Sequence, residues 1–117
     1  NLLKKLTLSL GGYNECLNSK QRANLHLSAV WVNNFVNHII YKGKRICDDN
    51  NISFSILKPI IKTTINQILN NDPKEIQTGP ARRGDIKTLE KHKELIKDLN
   101  DKVLYDTITK SIQNSYE

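Results

Sequence analysis

The sequence predicts an all-α fold, a helical bundle built around one long central helix, and three observations carry that prediction. The run from Lys20 to Ile46 contains no proline and repeats its apolar residues at helical spacing. Further segments of the same periodicity follow, each opened by a serine, asparagine or aspartate suited to capping a helix. Strand-like alternation is confined to the short stretch Tyr13 to Leu17.

In chain order, Leu2, Leu3, Leu6, Leu8 and Leu10 mark a short amphipathic helix, stopped by Gly11-Gly12. Tyr13 to Leu17 then reads as extended. Helix, glycine pair and short strand together resemble the end of one unit of a wound α/β sheet, with the sheet itself outside this chain. Ser19 is the expected N-cap of the long helix, and Gly43 is its one weak helix former near the far end. At about 1.5 Å per residue the rod spans roughly 40 Å. On a regular helical wheel Leu25, Ala29, Val32, Val36, Ile39 and Ile40 share one side, widened by Trp31 and Phe35. His26, Asn33 and Asn37 share the other.

Asp48 to Asn51 is a polar turn, after which Ser53 or Ser55 caps a helix running through Phe54, Leu57, Ile60, Ile61, Ile65, Ile68 and Leu69. Pro59 must fall in or just past its first turn. Asn70-Asn71 ends it, and Asp72-Pro73-Lys74-Glu75 spells a capping box around one short turn. Gln77 to Asp85 is a loop with two glycines, one proline and two adjacent arginines. Asp85 caps a helix carrying Ile86, Leu89, His92, Leu95 and Ile96, and Asn100 or Asp101 opens a last one with Val103, Leu104, Ile108 and Ile112.

Composition narrows the function classes. At 117 residues the chain is one domain, large enough for a core without covalent staples. No apolar run approaches a membrane span and no signal-peptide pattern opens the chain, so a cytoplasmic globular domain is expected. Cys16 and Cys47 lie in different elements with no metal-ligand spacing, and read as free thiols. The three histidines likewise show no metal pattern. The net charge of +6 concentrates near Lys42, Lys44 and Arg45 and around Arg82 and Arg83. This permits phosphate binding without selecting it. A small basic nucleic-acid-binding or protein-interaction module is the alternative reading. Its best basic face, Lys87, Lys91, Lys93 and Lys97, is diluted by Glu90 and Glu94. The chain contains no methionine, which reads as a piece of a longer protein.

Two groups of residues offer chemistry. Arg82 and Arg83 present planar, permanently charged forks suited to carboxylate or phosphate. The bland counterpart is that Arg83 pairs with Asp85 and staples the loop. The stripe His26, Asn33 and Asn37, with Asn34 and His38 beside it, could polarise a carbonyl and move a proton, or be hydrogen-bonded within the fold. His92 carries the same two readings.

Taken as one ordered set, Arg22, Leu25 to His38, Phe54, Leu57 to Ile61, Gln77 to Asp85 and His92 resemble a known family. Its most specific parts are the Thr-Gly-Pro-x-x-Arg-Gly-Asp core at Thr78 to Asp85 and Asn-Phe-x-x-His at Asn34 to His38. The family is the C-terminal helical domain, known as domain of unknown function 2520, of bacterial Rossmann-like oxidoreductases. The resemblance is to Bacteroidetes-type members and covers nearly the whole chain from Arg22 onward. It implies a fold similar to the C-terminal domain of 6-phosphogluconate dehydrogenase-like enzymes. On that resemblance residues 1–18 are an interdomain helix and extended segment left from an N-terminal Rossmann domain. Residues 19–117 are the substrate-binding and dimerisation domain. It implies NAD(P) in the intact protein, bound mainly by the other domain and by nothing in this chain alone. The implied partners are a second copy and a small anionic substrate, with neither membrane nor nucleic acid. His26 and Asn34 take the catalytic positions; Thr78, Gly79, Arg82, Arg83, Asp85, Asn37 and His38 would bind substrate, with Arg83 holding the anionic group. One departure stands out. Many relatives carry a catalytic lysine one helical turn before an asparagine, whereas here Val30 precedes Asn34 and Asn33 precedes Asn37.

Overall fold

The computed structural model describes residues 16–117, so the expected first helix and most of the extended piece lie outside the described residues. Every regular element among the described residues is helical, as the sequence predicts. The chain divides into two compact units, residues 1–58 and 59–117.

The first unit is dominated by the long helix, which consists of α1 (Ser19–Ala29), a π-helical segment (Val30–Phe35) and α2 (Val36–Asp49). Asn18, rather than Ser19, is the N-cap. Its side chain accepts from the Gln21 amide at 2.8 Å, and the Gln21 side chain accepts in return from the Asn18 amide at 3.0 Å. That reciprocal box satisfies two otherwise orphan donors, which a serine one residue later would not. Helix-internal asparagine and serine side chains donate back to carbonyls four residues earlier, Asn24 to Lys20 and Ser28 to Asn24.

The π-helical segment alters the wheel. Its hydrogen bonds close over five residues, so each residue there advances by roughly 80° rather than about 100°, and the following α2 is displaced by one position. The polar stripe expected at His26, Asn33 and Asn37 is therefore not maintained. His26, Asn34 and His38 come to lie along one line, and Asn33 and Asn37 turn away from it. The apolar residues are sorted likewise. Leu27, Trp31, Phe35, Ile39 and Ile46 line up on one side, exposed by 55%, 61%, 45%, 48% and 59%. Off that line, Ala29 and Cys47 are buried. Trp31 and Phe35 meet edge to face, ring centroids 5.1 Å apart. At the far end Lys44 pairs with Asp48 at 2.7 Å, and Ile52 donates back to the Cys47 carbonyl at 2.9 Å, turning the chain into a 3-10 turn at Phe54–Leu57.

The second unit takes up α3 (Lys58–Asn70), with Pro59 in its first turn, and a 3-10 turn at Pro73–Ile76 capped by Asp72. It continues with the single turn α4 (Pro80–Arg83), α5 (Ile86–Leu95) and α6 (Leu99–Ser115). The helix predicted after Ser53 or Ser55 is thus split: Ser53 opens only the 3-10 turn, and the α-helix starts at Lys58. The last helix starts earlier than predicted, at Leu99. Asp98 caps it by accepting from the Asp101 amide at 3.0 Å. The small α4 packs against both α5 and α6, burying Ala81, while Leu89 of α5 and Thr109 of α6 are also buried. An ion triad ties α5 to α6, with Lys93 at 3.0 Å and Lys110 at 2.9 Å from the Asp106 carboxylate. Both ammonium groups hold that carboxyl below its ordinary range, Lys110 first. Lys93 is therefore already committed and subtracts from a basic face on α5.

Candidate functional site

The arginine turn is assembled almost entirely by local backbone bonding. Gly79 has φ 104° and ψ 171°, a conformation closed to side-chain-bearing residues, and it launches Pro80 as the first residue of α4. Arg83 donates its amide to the Gly79 carbonyl at 3.2 Å, and Asp85 donates to the Pro80 carbonyl at 2.9 Å. Gly84, left-handed at φ 69°, reverses the chain immediately after the arginines. Asp85 then caps α5, accepting from the Thr88 amide at 3.2 Å and from the Thr88 hydroxyl at 2.7 Å. These two hydrogen bonds from Thr88 hold the Asp85 carboxyl below the ordinary carboxylate range, with a smaller contribution from Arg83.

The two arginines leave this turn in different company. Arg83 is 3.8 Å from the Asp85 carboxylate and its side chain is 61% exposed, so the pair is loose and the fork remains available. Arg82 lies over the Tyr116 ring, 4.2 Å from its centroid, and Lys74 stands 6.0 Å from the same centroid. The Tyr116 hydroxyl donates to the Lys74 carbonyl, so the end of α6 is tied to the Pro73–Ile76 turn. Tyr116 thereby lines an open pocket of about 430 Å³ with Lys74, Gln77, Ser111 and Ser115. Tyr116 is the contact of the arginine turn that sequence reasoning missed; its place beyond the last apolar position of α6 gave no periodic signal. Thr78 is exposed, and its carbonyl accepts from the Gln77 side chain at 3.0 Å.

His92 is accounted for structurally. Its Nδ1 and the Tyr105 hydroxyl share a hydrogen bond of 2.7 Å, and the rings meet edge to face. Burial raises the Tyr105 phenol above its ordinary value.

Of the predicted site residues, Thr78, Gly79, Arg82, Arg83 and Asp85 come together in this one turn of the second unit. His26, Asn34, Asn37 and His38 belong to the long helix of the first unit and are all exposed. The π-helical segment sets His26, Asn34 and His38 in line and excludes Asn37 from that line. His38 continues into Tyr41, ring centroids 5.9 Å apart, and the Arg45 guanidinium lies 6.0 Å from the Tyr41 ring. Among the described residues no three histidine, cysteine or acidic side chains gather as a metal site. No described helix is long and apolar enough to cross a membrane.

The family model described as domain of unknown function (DUF2520) matches residues 1–112. The chain belongs to this family. The match includes the arginine turn and the long helix and stops short of Tyr116. No curated protein matches the chain. Among solved structures it is similar to a crystal structure from Bacteroides fragilis of a protein named putative NADP oxidoreductase. The two share 32% sequence identity with a TM-score of 0.82 over 85% of this chain. This chain spans 39% of that protein's length.

Proposed function

We propose that this chain is the C-terminal helical domain of an NADP-dependent oxidoreductase, closing a substrate cleft formed with a separate Rossmann domain and assembling as a homodimer in the cytoplasm. The observation that carries the reading is the 32% identity and 0.82 TM-score to part of a protein named as an NADP oxidoreductase. The donor set of this chain suits an anionic substrate group: an exposed guanidinium at Arg83, held on a backbone turn that two special glycines fix. It does not suit a dinucleotide, since the Gly79 and Gly84 turn surrounds arginines and opens no strand-to-helix phosphate cradle. The cofactor, when bound by the other domain, would give a hydride to a carbonyl as NADPH or take one from a hydroxyl as NADP+. In this reading the arginine turn offers Arg83 to an anionic group, and the long helix, taken by itself, offers His26 and Asn34 on one face to a carbonyl or hydroxyl. Val30 stands where many relatives have a lysine one turn before Asn34, which leaves His26 and His38 as the proton-handling groups on that face.

The coding sequence upstream of Asn1 tests the architecture. An in-frame strand, glycine fingerprint and helix pattern over roughly 130–150 residues is expected. A start codon immediately before Asn1 would overturn the two-domain reading.

A further inference from the structure

We propose that the pocket lined by Lys74, Gln77, Ser111 and Tyr116 binds the phosphate group of a small phosphate monoester, at a place apart from Arg83. All of these residues belong to the second unit, so the proposal stands independently of the oxidoreductase reading.

The donors come from two elements. The Pro73–Ile76 turn brings the Lys74 ammonium, and α6 brings the Ser111 hydroxyl, which has no other partner among the described residues. The Gln77 side-chain amide gives one hydrogen to the Thr78 carbonyl at 3.0 Å and keeps the other. None of the described residues that line the pocket is acidic. Of the acids flanking Lys74, Asp72 caps the turn by accepting from the Lys74 amide at 3.0 Å, and Glu75 forms no ion pair among the described residues. Tyr116 prepares the site. Its hydroxyl donates to the Lys74 carbonyl and its ring centroid lies 6.0 Å from the Lys74 ammonium, so one tyrosine holds this lysine by its backbone and by its head. A lysine already restrained loses less freedom when a ligand binds. On the same ring the Arg82 guanidinium stands 4.2 Å from the centroid and adds a second positive charge beside the pocket. Neither cation has a carboxylate partner among the described residues, and a bound anion offsets their mutual repulsion.

Charge and room select the ligand. A phosphate monoester carries a charge of about −1.5 to −2 at pH 7 and three strong acceptor oxygens, which match two cations, a hydroxyl and an amide. A carboxylate brings a single charge. The cavity of about 430 Å³ leaves space beside the phosphate for an organic group against Pro73 and Ile112. The adjacent arginines leave the α4 turn about 100° apart. Arg82 goes to Tyr116 and Arg83 toward Asp85, so one anion does not take both forks.

The test is calorimetric titration of this chain with phenyl phosphate, and with benzoate as a singly charged probe carrying the same ring. Saturable binding is expected, about tenfold tighter for phenyl phosphate than for benzoate. Lys74→Gln should weaken it about tenfold and Ser111→Ala about threefold. Lys62→Gln removes the same charge from an exposed position of α3 and should leave it unchanged. Lys74 and Ser111 are both exposed, and circular dichroism checks that each variant keeps its helices. Equal affinity for benzoate, or an equal loss in Lys62→Gln, would reduce the binding to general attraction by a basic surface and overturn the proposal. Absence of saturable binding would overturn it as well. So would a loss in Arg83→Gln with Lys74→Gln unaffected, which would seat the phosphate on the arginine turn instead.

Discussion

The arginine turn and the long helix are built on opposite plans. In the turn almost every polar group finds its partner within a few residues: Gly79 and Pro80 accept the amides of Arg83 and Asp85, and Asp85 accepts twice from Thr88. Only the Arg83 fork is left over. The long helix closes its own backbone, but leaves a line of large apolar side chains and a line of His26, Asn34 and His38 in the open. One region is complete in itself and presents a single charge; the other is ordered in pattern and completed only by something added to it. A helix earns most of its stability from packing one face rather than from propensity, so such exposed order points to a missing neighbour.

The sharpest way to break this contrast is to remove two residues from the π-helical segment. Deleting Val32 and Asn33 together leaves a regular α-helix and rotates everything after it by about 80° relative to α1, whereas deleting one residue alone would keep the faces in register. Far-UV circular dichroism is expected to stay helical while light scattering falls to the monomer mass. A deletion variant that still dimerises would show that the alignment of the stripe is immaterial.

A smaller effect is expected at the turn. Gly79→Ala forces a side chain into φ 104°, and should cost about 2 kcal/mol in chemical denaturation. Space is not the issue, because a Cβ there meets nothing within 4 Å. The loss is conformational, and an unchanged midpoint would mean the turn relaxes freely. Smaller again is Tyr105→Phe, which removes the hydrogen bond to His92 and should cost about 1 kcal/mol without altering dimer mass.

The mildest lever is acid. Asp85 is held below its ordinary range by Thr88, so its carboxylate favours the folded form. That contribution is complete above the ordinary carboxylate value and is lost as pH falls through the lowered one. Asp106 behaves alike through Lys110 and Lys93. Melting temperature is therefore expected to hold down to about pH 4 and to drop below it, and less steeply in Asp85→Asn, which keeps an oxygen for the cap but cannot titrate. Equal slopes would assign the acid sensitivity to other groups.

What could be read from the sequence follows the same division. The place of the arginine turn was legible, because glycine, proline and capping aspartate act through local sterics that a sequence displays directly, but its helical turn Pro80–Arg83 was read as loop. The Asp72 and Asp85 caps were legible for the same reason. The caps at Asn18 and Asp98 were displaced by one to three residues from the expected ones, since neighbouring polar residues compete for the same orphan amides. The face of the long helix was not legible. A regular wheel joins His26 to Asn33 and Asn37, and one extra residue in the winding joins it instead to Asn34 and His38. No residue between Val30 and Phe35 announces that change by its type. The clasp of Tyr116 on Arg82 and Lys74 was hidden as well, because it joins residues far apart in the chain.

The central claim, that this chain is the helical half of an NADP-dependent enzyme, is tested most directly by titrating NADPH and following its fluorescence. The chain by itself is expected to leave the signal unchanged, and the same chain continuous with its upstream coding segment is expected to saturate. Tight NADPH binding to residues 1–117 alone, or none to the extended protein, would contradict it.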